Sequence, residues 1–347
     1  MGIVIAVIVF SSIIFIHELG HFLLAKANKI RVDEFSIGMG PRLLSFQKGE
    51  TRYSLKLFPI GGSCMMGEDD VDDMSEGSFN SKSVWARIAV VAAGAIFNFI
   101  LAFIFATILV GYAGYDKPVI SGVVPGFSAE AEGLQAGDRI VRMNGKKINL
   151  WREVTYYNMF HPGEKVNLVY ERDGKTHKVT IIPKQDEDGK YLLGVTSPAQ
   201  YEKANVFTAL QYGAYEVKFW ICTTIESLKL LITGGVGVNE LSGPVGIVNV
   251  VDETYQQSKS YGVVVVIMQM LNIGILLSAN LGVMNLLPIP ALDGGRLIFL
   301  FIEAIRGKRL APDKEGKVHL VGMILLFALM IFVFFNDIIR IFGGVFK

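Results

Sequence analysis

Four stretches of the chain are apolar for long enough to cross a lipid bilayer, which takes about 20 residues of helix. The stretch after Arg87 and the one from Gly262 to Leu292 contain no charged residue. Hydrocarbon offers no hydrogen-bond partners, so such segments satisfy their backbone polar groups as helices. The sequence therefore predicts a polytopic α-helical membrane protein with about four transmembrane helices, at residues 1–27, 84–114, 262–292 and 318–335.

The composition supports this class and excludes others. Of the 347 residues, 51% are hydrophobic and only 19% are charged, which is too apolar for an ordinary soluble protein. The net charge of +1 leaves no excess of basic residues for phosphates, so we expect no nucleic-acid partner. The two cysteines, Cys64 and Cys222, form no CxxC motif and predict neither a disulfide framework nor a thiolate metal site.

The first segment could instead be a cleaved signal peptide, but it has no basic region at its start, and polar residues interrupt it.

The short flanks of these segments set the predicted orientation. Lys and Arg cluster after the first segment, before the second, and between the third and fourth, at Lys26, Lys29, Arg31, Lys82, Arg87, Arg296, Arg306, Lys308, Arg309, Lys314 and Lys317. By the positive-inside rule these flanks are cytoplasmic and both termini lie outside.

The polar regions between the segments have their own patterns. In residues 28–83 the alternating runs "EFSIG" and "TRYSLKLF", bounded by glycines, predict short strands or hairpins that lie against the cytoplasmic face of the membrane. Residues 201–261 include an apolar stripe at helical spacing from Phe207 to Ile232. This stripe predicts either an amphipathic helix on the outer membrane surface or a core helix of the external domain.

Residues 115–200 carry the string "GLQAGDRIVRMNG", which predicts a strand that ends in a turn at Asn144-Gly145. Two further strands, joined at Asp173-Gly174, follow it. The string resembles the GLxxGDxIxxxNG pattern of PDZ domains, so we expect an inserted, extracytoplasmic α+β domain of this kind. Such domains bind an extended peptide tail at a sheet edge. A spacer domain that binds no peptide is the alternative.

The first segment contains the motif "HELGH". On a helix, His17 and His21 are one turn apart on one face, so both imidazoles can reach one metal ion while Glu18 stands beside it. This is the HExxH arrangement of zinc hydrolases. Two histidines satisfied within a helix bundle are the alternative, although few partners exist for such groups in hydrocarbon.

A catalytic zinc site needs a third protein ligand. Asp293 ends "NLLPIPALDGG" at the close of the third segment, where Pro288 and Pro290 break the helix and glycines allow a close turn. The carboxylate could thus turn inward at membrane depth. A helix cap for the following segment is the other interpretation of Asp293, and both can hold together.

These motifs, in this order, resemble the site-2 protease family of intramembrane zinc metalloproteases, in its bacterial RseP-like group. HELGH, the G-x-G of "FSIGMGP", "FNSKSVWARIAVVAAG", the single PDZ-like insertion, "LSGPVGI" and "NLLPIPALDGG" cover nearly the whole chain. Ala95 and Met39 depart from the residues usual in the family, as does the string "GGSCMMGE". The second and third departures lie in the region of the predicted hairpins and concern substrate contacts rather than the metal site.

The resemblance implies particular roles for residues of this chain. His17, His21 and Asp293 would bind one Zn²⁺ ion, and Glu18 would be the catalytic carboxylate. Contacts with an unwound substrate would fall to Asn98, Asn280, Asn285, Gly38, Gly40, Pro288 and Pro290. For each asparagine, hydrogen bonding between helices is the alternative role.

The function that we expect is hydrolysis of peptide bonds within or beside the transmembrane helices of single-span proteins, such as anti-sigma factors or signal-peptide remnants. The protein would lie in a bacterial cell membrane with its active site toward the cytoplasm. Residues 293–317 would form a cytoplasmic loop, and residues 336–347 an external tail. A catalytically silent scaffold and a metal transporter are the alternatives; a scaffold needs neither Glu18 nor Asp293, and a transporter needs further ligands along a path.

Overall fold

A computed structural model describes residues 1–67, 73–198, 200–235, 237, 242–309 and 312–343. The chain divides into two compact units. One unit comprises Met1–Ala102 with Leu230–Lys347, and the other comprises Phe103–Lys229. Leu241 of the "LSGPVGI" motif, Glu68 of "GGSCMMGE" and residues 344–347 of the predicted tail lie outside the described ranges.

Within the part of the chain that the structure describes, four helices are long and apolar enough to cross a membrane, which is the number predicted. They are α1 (Gly2–Ala27), α2 (Val84–Ala113), α7 (Val263–Leu286) and α9 (Pro312–Gly343). Helix α7 ends at Leu286, earlier than residue 292, because the residue before Pro288 is disfavoured in the helical region and Leu287 is extended. Helix α9 is longer than its apolar stretch, since polar residues at its two ends continue the helix.

A two-stranded sheet follows α1 and consists of β1 (Glu34–Lys48) and β2 (Thr51–Met65), joined by a turn at Gly49 with φ +63°. The strands pair antiparallel, and the first residues of β1 have partners in two parts of β2, around Arg52–Leu55 and Gly62–Met65. The predicted strands are therefore longer than the two runs. The sheet exposes apolar side chains to its surroundings at Ile37, Met39, Leu43, Leu44, Phe46, Leu55, Leu57 and Phe58, as expected beside a membrane.

Residues 293–317, expected as a loop, begin with the amphipathic helix α8 (Asp293–Arg306). Its Leu297 and Leu300 are buried in a cluster with Ile30 and Val90, and Gly307 ends it in the left-handed conformation. Hydropathy alone does not reveal such a helix, because only one of its faces is apolar.

The second unit combines short helices and strands, as expected of an α+β domain. They are β3 (Gly122–Val123), α3 (Ser128–Ala131), β4 (Arg139–Met143), β5 (Lys146–Lys147), α4 (Trp151–Phe160), β6 (Val166–Arg172), β7 (Lys175–Ile181), β8 (Lys184–Gln185), β9 (Tyr191–Leu192) and β10 (Val195–Thr196). A four-stranded sheet has the order β5-β4-β6-β7. Asn144-Gly145 and Asp173-Gly174 have positive φ, as two-residue hairpin turns require, which confirms both predicted turns.

Two helices occupy the stretch 201–261, where one helix and a linker were expected. Helix α5 (Val206–Thr233) buries Ala209, Tyr212 and Phe219 in a cluster of the second unit. Helix α6 (Pro244–Ser258) starts with proline at its first position and buries Val251 in a cluster with residues of α1 and α7.

Candidate metal centre

His17 and His21 lie one turn apart on α1 and are both buried. Their Nε2 atoms are 3.2 Å from each other. Asp293, the first residue of α8, brings its Oδ2 atom to 3.3 Å from each of these nitrogens. The structure thus brings together the three residues that the sequence predicted as ligands, from two distant parts of the chain.

The triangle formed by these three atoms has the dimensions of a metal site. Donor atoms bound to a tetrahedral zinc ion at about 2.0–2.1 Å lie about 3.3 Å from one another. His₂Asp is also a donor set that zinc uses in hydrolytic sites, with a fourth position open. The residues present therefore fit a zinc ion.

The hydrogen bonds of His21 direct its lone pair into the triangle. Its Nδ1 atom lies 2.9 Å from the carbonyl oxygen of Val90, which can only accept, so Nδ1 carries the proton and Nε2 the lone pair. A carbonyl partner of this kind is usual for a histidine that binds a metal.

His17 lies beside two asparagine amides. Its Nδ1 atom is 3.3 Å from Nδ2 of Asn98 on α2, whereas Nδ2 of Asn285 on α7 is 3.4 Å from both ring nitrogens. A half-turn of the Asn98 amide directs its carbonyl oxygen at Nδ1, and the oxygen and nitrogen of an amide are assigned from such networks. Nδ1–H then donates, so two imidazole lone pairs and a carboxylate converge on one point, an arrangement that a cation stabilises.

Gly94 of α2 makes room for the two imidazoles, and the sequence did not predict this role. A Cβ atom at this position would lie 2.4 Å from His21 Nε2 and 2.5 Å from His17 Cε1. A side chain is therefore excluded by the donors themselves. The sequence signal is a glycine in an apolar helix, which indicates close packing but not the partner.

Glu18 lies next to the triangle on α1 and faces the end of β2. Its carboxylate accepts a hydrogen bond from the backbone amide of Cys64, and its Cγ atom approaches Gly62, where a Cβ atom would lie at 3.0 Å. The sheet thus covers the side of the site on which Glu18 stands.

The other predicted site residues are more dispersed. Asn280 is half-buried on α7, the helix that also carries Asn285. Gly38 and Gly40 have φ of +85° and +86° in β1 and pack on Phe58. Pro290 packs on Gly322 of α9, and Pro288 lies in the same loop.

A family model and individual relatives both identify similar proteins over nearly the whole chain. The model of peptidase family M50 matches residues 5–329. A putative zinc metalloprotease of Clostridium acetobutylicum is 37% identical, with 97% of each chain covered. The regulator of sigma-W protease RasP of Bacillus subtilis is 33% identical over 97% of this chain and 98% of its own.

Among solved structures, the PDZ domain of an SdrC-like protein from Listeria monocytogenes is 25% identical to this chain. The match covers 24% of this chain and 90% of that domain, with a TM-score of 0.22.

Proposed function

The chain belongs to peptidase family M50 and is a zinc metalloprotease, and on this premise we propose that it hydrolyses peptide bonds within or beside the transmembrane helices of single-span proteins. The observation that carries the proposal is the triangle of His17, His21 and Asp293, whose histidines belong to a helix long and apolar enough to span a membrane. A site at that depth meets peptide bonds that soluble proteases do not reach.

In this proposal His17, His21 and Asp293 hold one zinc ion. When bound, zinc supplies Lewis-acid activation of water and of the scissile carbonyl. The carbonyl of Val90 and the amide of Asn98 hold His21 and His17, respectively, in the tautomers that binding requires.

Glu18 is the proposed general base and acid. Its carboxylate lies beside the triangle without belonging to it, so it is free to take the proton of the attacking water. It then gives this proton to the nitrogen of the departing amine. The amide of Cys64 fixes its orientation during both transfers.

A helical substrate must unwind before hydrolysis, because its backbone groups are paired internally. Asn280 and Asn285, which are half-buried on α7, offer donors and acceptors for the freed groups, whereas Asn98 is fully buried and acts through His17. The stretch of β2 that faces Glu18 can pair with the extended backbone of the unwound substrate. Further contacts with the substrate would come from Gly38, Gly40, Pro288 and Pro290.

Water must also reach this site. A cavity of 540 Å³ borders Asp293 and is lined by polar side chains that include Arg296, Glu303 and His319. We propose that it supplies water from the cytoplasmic side, where basic flanking residues place α8.

The PDZ-like region, residues 115–200, and both termini would then lie outside the cell. The region would dock the trimmed end of a substrate or exclude substrates with large external domains. Anti-sigma factors and signal-peptide remnants are proteins of this type, and the relative named regulator of sigma-W protease supports the first class. Wild-type protein should cleave a trimmed single-span substrate faster than its full-length form, and equal rates would contradict the docking or filter role.

A reconstitution tests the proposed activity. Purified protein in detergent is incubated with a labelled single-span substrate, and the cleavage position is read by mass spectrometry. Cleavage should fall within or beside the transmembrane segment, stop after chelation of zinc, and return when zinc is added. Cleavage that persists in the chelated protein, or that occurs only in soluble segments, contradicts the proposal.

A further inference from the structure

The loop that carries Asp293 holds an uncommon backbone conformation. Ala291, two residues before Asp293, has φ +77°, in the left-handed region that disfavours residues with a Cβ atom. Two backbone hydrogen bonds between near neighbours in the sequence fold this loop tightly. The N–H of Ile289 donates to the carbonyl of Leu287, and the N–H of Leu292 donates to the carbonyl of Ile289. Such a conformation persists only where the surroundings hold it.

Helix α9 supplies contacts that hold it. The backbone N–H of Ala291 donates to Nδ1 of His319 at 3.0 Å. One turn later on the same face of α9, Gly322 lets Pro290 pack against the helix, since a Cβ atom there would lie 2.3 Å from Pro290 Cβ. The loop is thus fixed at two adjacent residues just before the carboxylate.

We propose that His319 is a positioning residue for the metal site, because its Nδ1 atom holds Ala291 in the conformation that places Asp293 between His17 and His21. The inference deepens the proposed function, since it rests on Asp293 as a metal ligand. His319 itself does not belong to the triangle.

The chemistry of the side chain suits this role. Nδ1 must be unprotonated to accept the Ala291 N–H, so the proton of the neutral ring belongs on Nε2. Glu315, one turn earlier on α9, brings Oε1 to 3.8 Å from Nε2 and favours a proton there. The ring of Phe299 lies against the imidazole with centroids 5.5 Å apart, which fixes its plane.

A matched pair of substitutions in the full-length protein separates positioning from packing. The carbonyl oxygen of His319→Asn reaches the place of Nδ1, whereas the amide of His319→Gln reaches the place of Nε2. Zinc affinity, measured by competition with a chelator in detergent, should change less than about 3-fold in the Asn variant. It should fall by about 10- to 100-fold in the Gln variant, as is usual for outer partners of metal ligands.

Two further measurements give independent readouts. The absorption spectrum of the cobalt-substituted Gln variant should lose intensity from a four-coordinate site, while the Asn variant keeps the wild-type spectrum. The kcat should fall in the Gln variant with little change in KM. Ala291→Gly in the Gln background should restore part of the zinc affinity, because glycine adopts the left-handed conformation without a Cβ penalty.

Wild-type zinc affinity and cobalt spectra in both variants would overturn the inference, and so would equal losses in both. A His319→Phe variant that keeps ring volume and also keeps zinc affinity would likewise assign the residue to packing. Zinc affinity is measured without substrate, so a wild-type protein that fails to cleave any substrate while the Asn and Gln variants differ as expected would contradict the proposed function and leave this inference standing.

Discussion

At the scale of single residues, the metal centre depends on groups that leave space as well as on groups that bind. The donor atoms of His17, His21 and Asp293 lie at zinc-like separations because Gly94 places no atom between α2 and the imidazoles. Gly20 of α1 similarly faces the backbone of Ala93, at a distance where a Cβ atom would lie 2.6 Å from its carbonyl oxygen. The two helices therefore approach closely at the site.

Gly94→Ala should lower zinc affinity by about 10- to 100-fold or more, because the new methyl group displaces both imidazoles. Gly111→Ala in the same helix is the matched control, since its Cβ atom would meet only Ala209 at 3.9 Å. Both substitutions favour helix formation equally. Zinc titration of the two purified variants checks the prediction, and equal affinities would contradict it.

The three side chains that meet in the triangle were predictable from the sequence, whereas the residues that make room for them or hold their loop were not. HELGH places two donors on one helix face by helical periodicity. The string "PIPALDGG" singles out Asp293, because a carboxylate at the end of an apolar segment requires a partner. Gly94 and the Ala291 conformation depend on what packs against them from distant segments. No local pattern encodes such contacts.

At the scale of elements, turn chemistry gave the most exact predictions. Asn144-Gly145 and Asp173-Gly174 specify their hairpins because few residues adopt two successive positive φ values. The double pairing of β1 with β2 was not foreseen, because it depends on bends in both strands. Hydropathy did not predict helix α8, because this helix is amphipathic and one of its faces is polar.

Helix α5 joins the PDZ-like region through a buried ionic group. Glu216 is only 4% exposed and lies 3.0 Å from Arg152 of α4. Burial raises the pKa of Glu216 to about 7, with Arg152 opposing the shift and the carboxylates of Asp116 and Glu153 adding to it. The folded state therefore holds a proton that the unfolded chain releases near its ordinary pKa of 4.5.

The stability of this unit should therefore fall as the pH rises from about 5 to about 8, by roughly 3 kcal/mol at most. The stabilising proton is present below the unfolded pKa and is lost as the pH passes the folded pKa. Thermal unfolding followed by the fluorescence of Trp151 and Trp220 measures this slope. Glu216→Gln should flatten it, and the control Glu226→Gln, in which a lysine-paired carboxylate of the same helix is replaced, should leave it unchanged. An identical slope in Glu216→Gln and wild type would contradict the assignment.

At the scale of the whole molecule, the four apolar helices of the described residues and membership of peptidase family M50 identify a multi-pass membrane protein. The basic flanks predict its orientation. The two cysteines of the chain offer a direct probe, since Cys222 on α5 is exposed and Cys64 in β2 is buried. In intact spheroplasts a membrane-impermeant maleimide should label Cys222 from outside. The signal should persist in Cys64→Ser and vanish in Cys222→Ser; labelling only after permeabilisation would reverse the predicted orientation.

The central claim is that Glu18 performs proton transfer at a zinc site formed by α1 and Asp293. Its most direct test compares wild type, Glu18→Gln and Asp293→Asn for zinc content and for cleavage of a single-span substrate. Glu18→Gln should keep its zinc and lose about 10²- to 10⁴-fold in kcat, whereas Asp293→Asn should lose both zinc and activity. Wild-type cleavage by Glu18→Gln, or zinc bound by wild type and Glu18→Gln with cleavage by neither, would contradict the account.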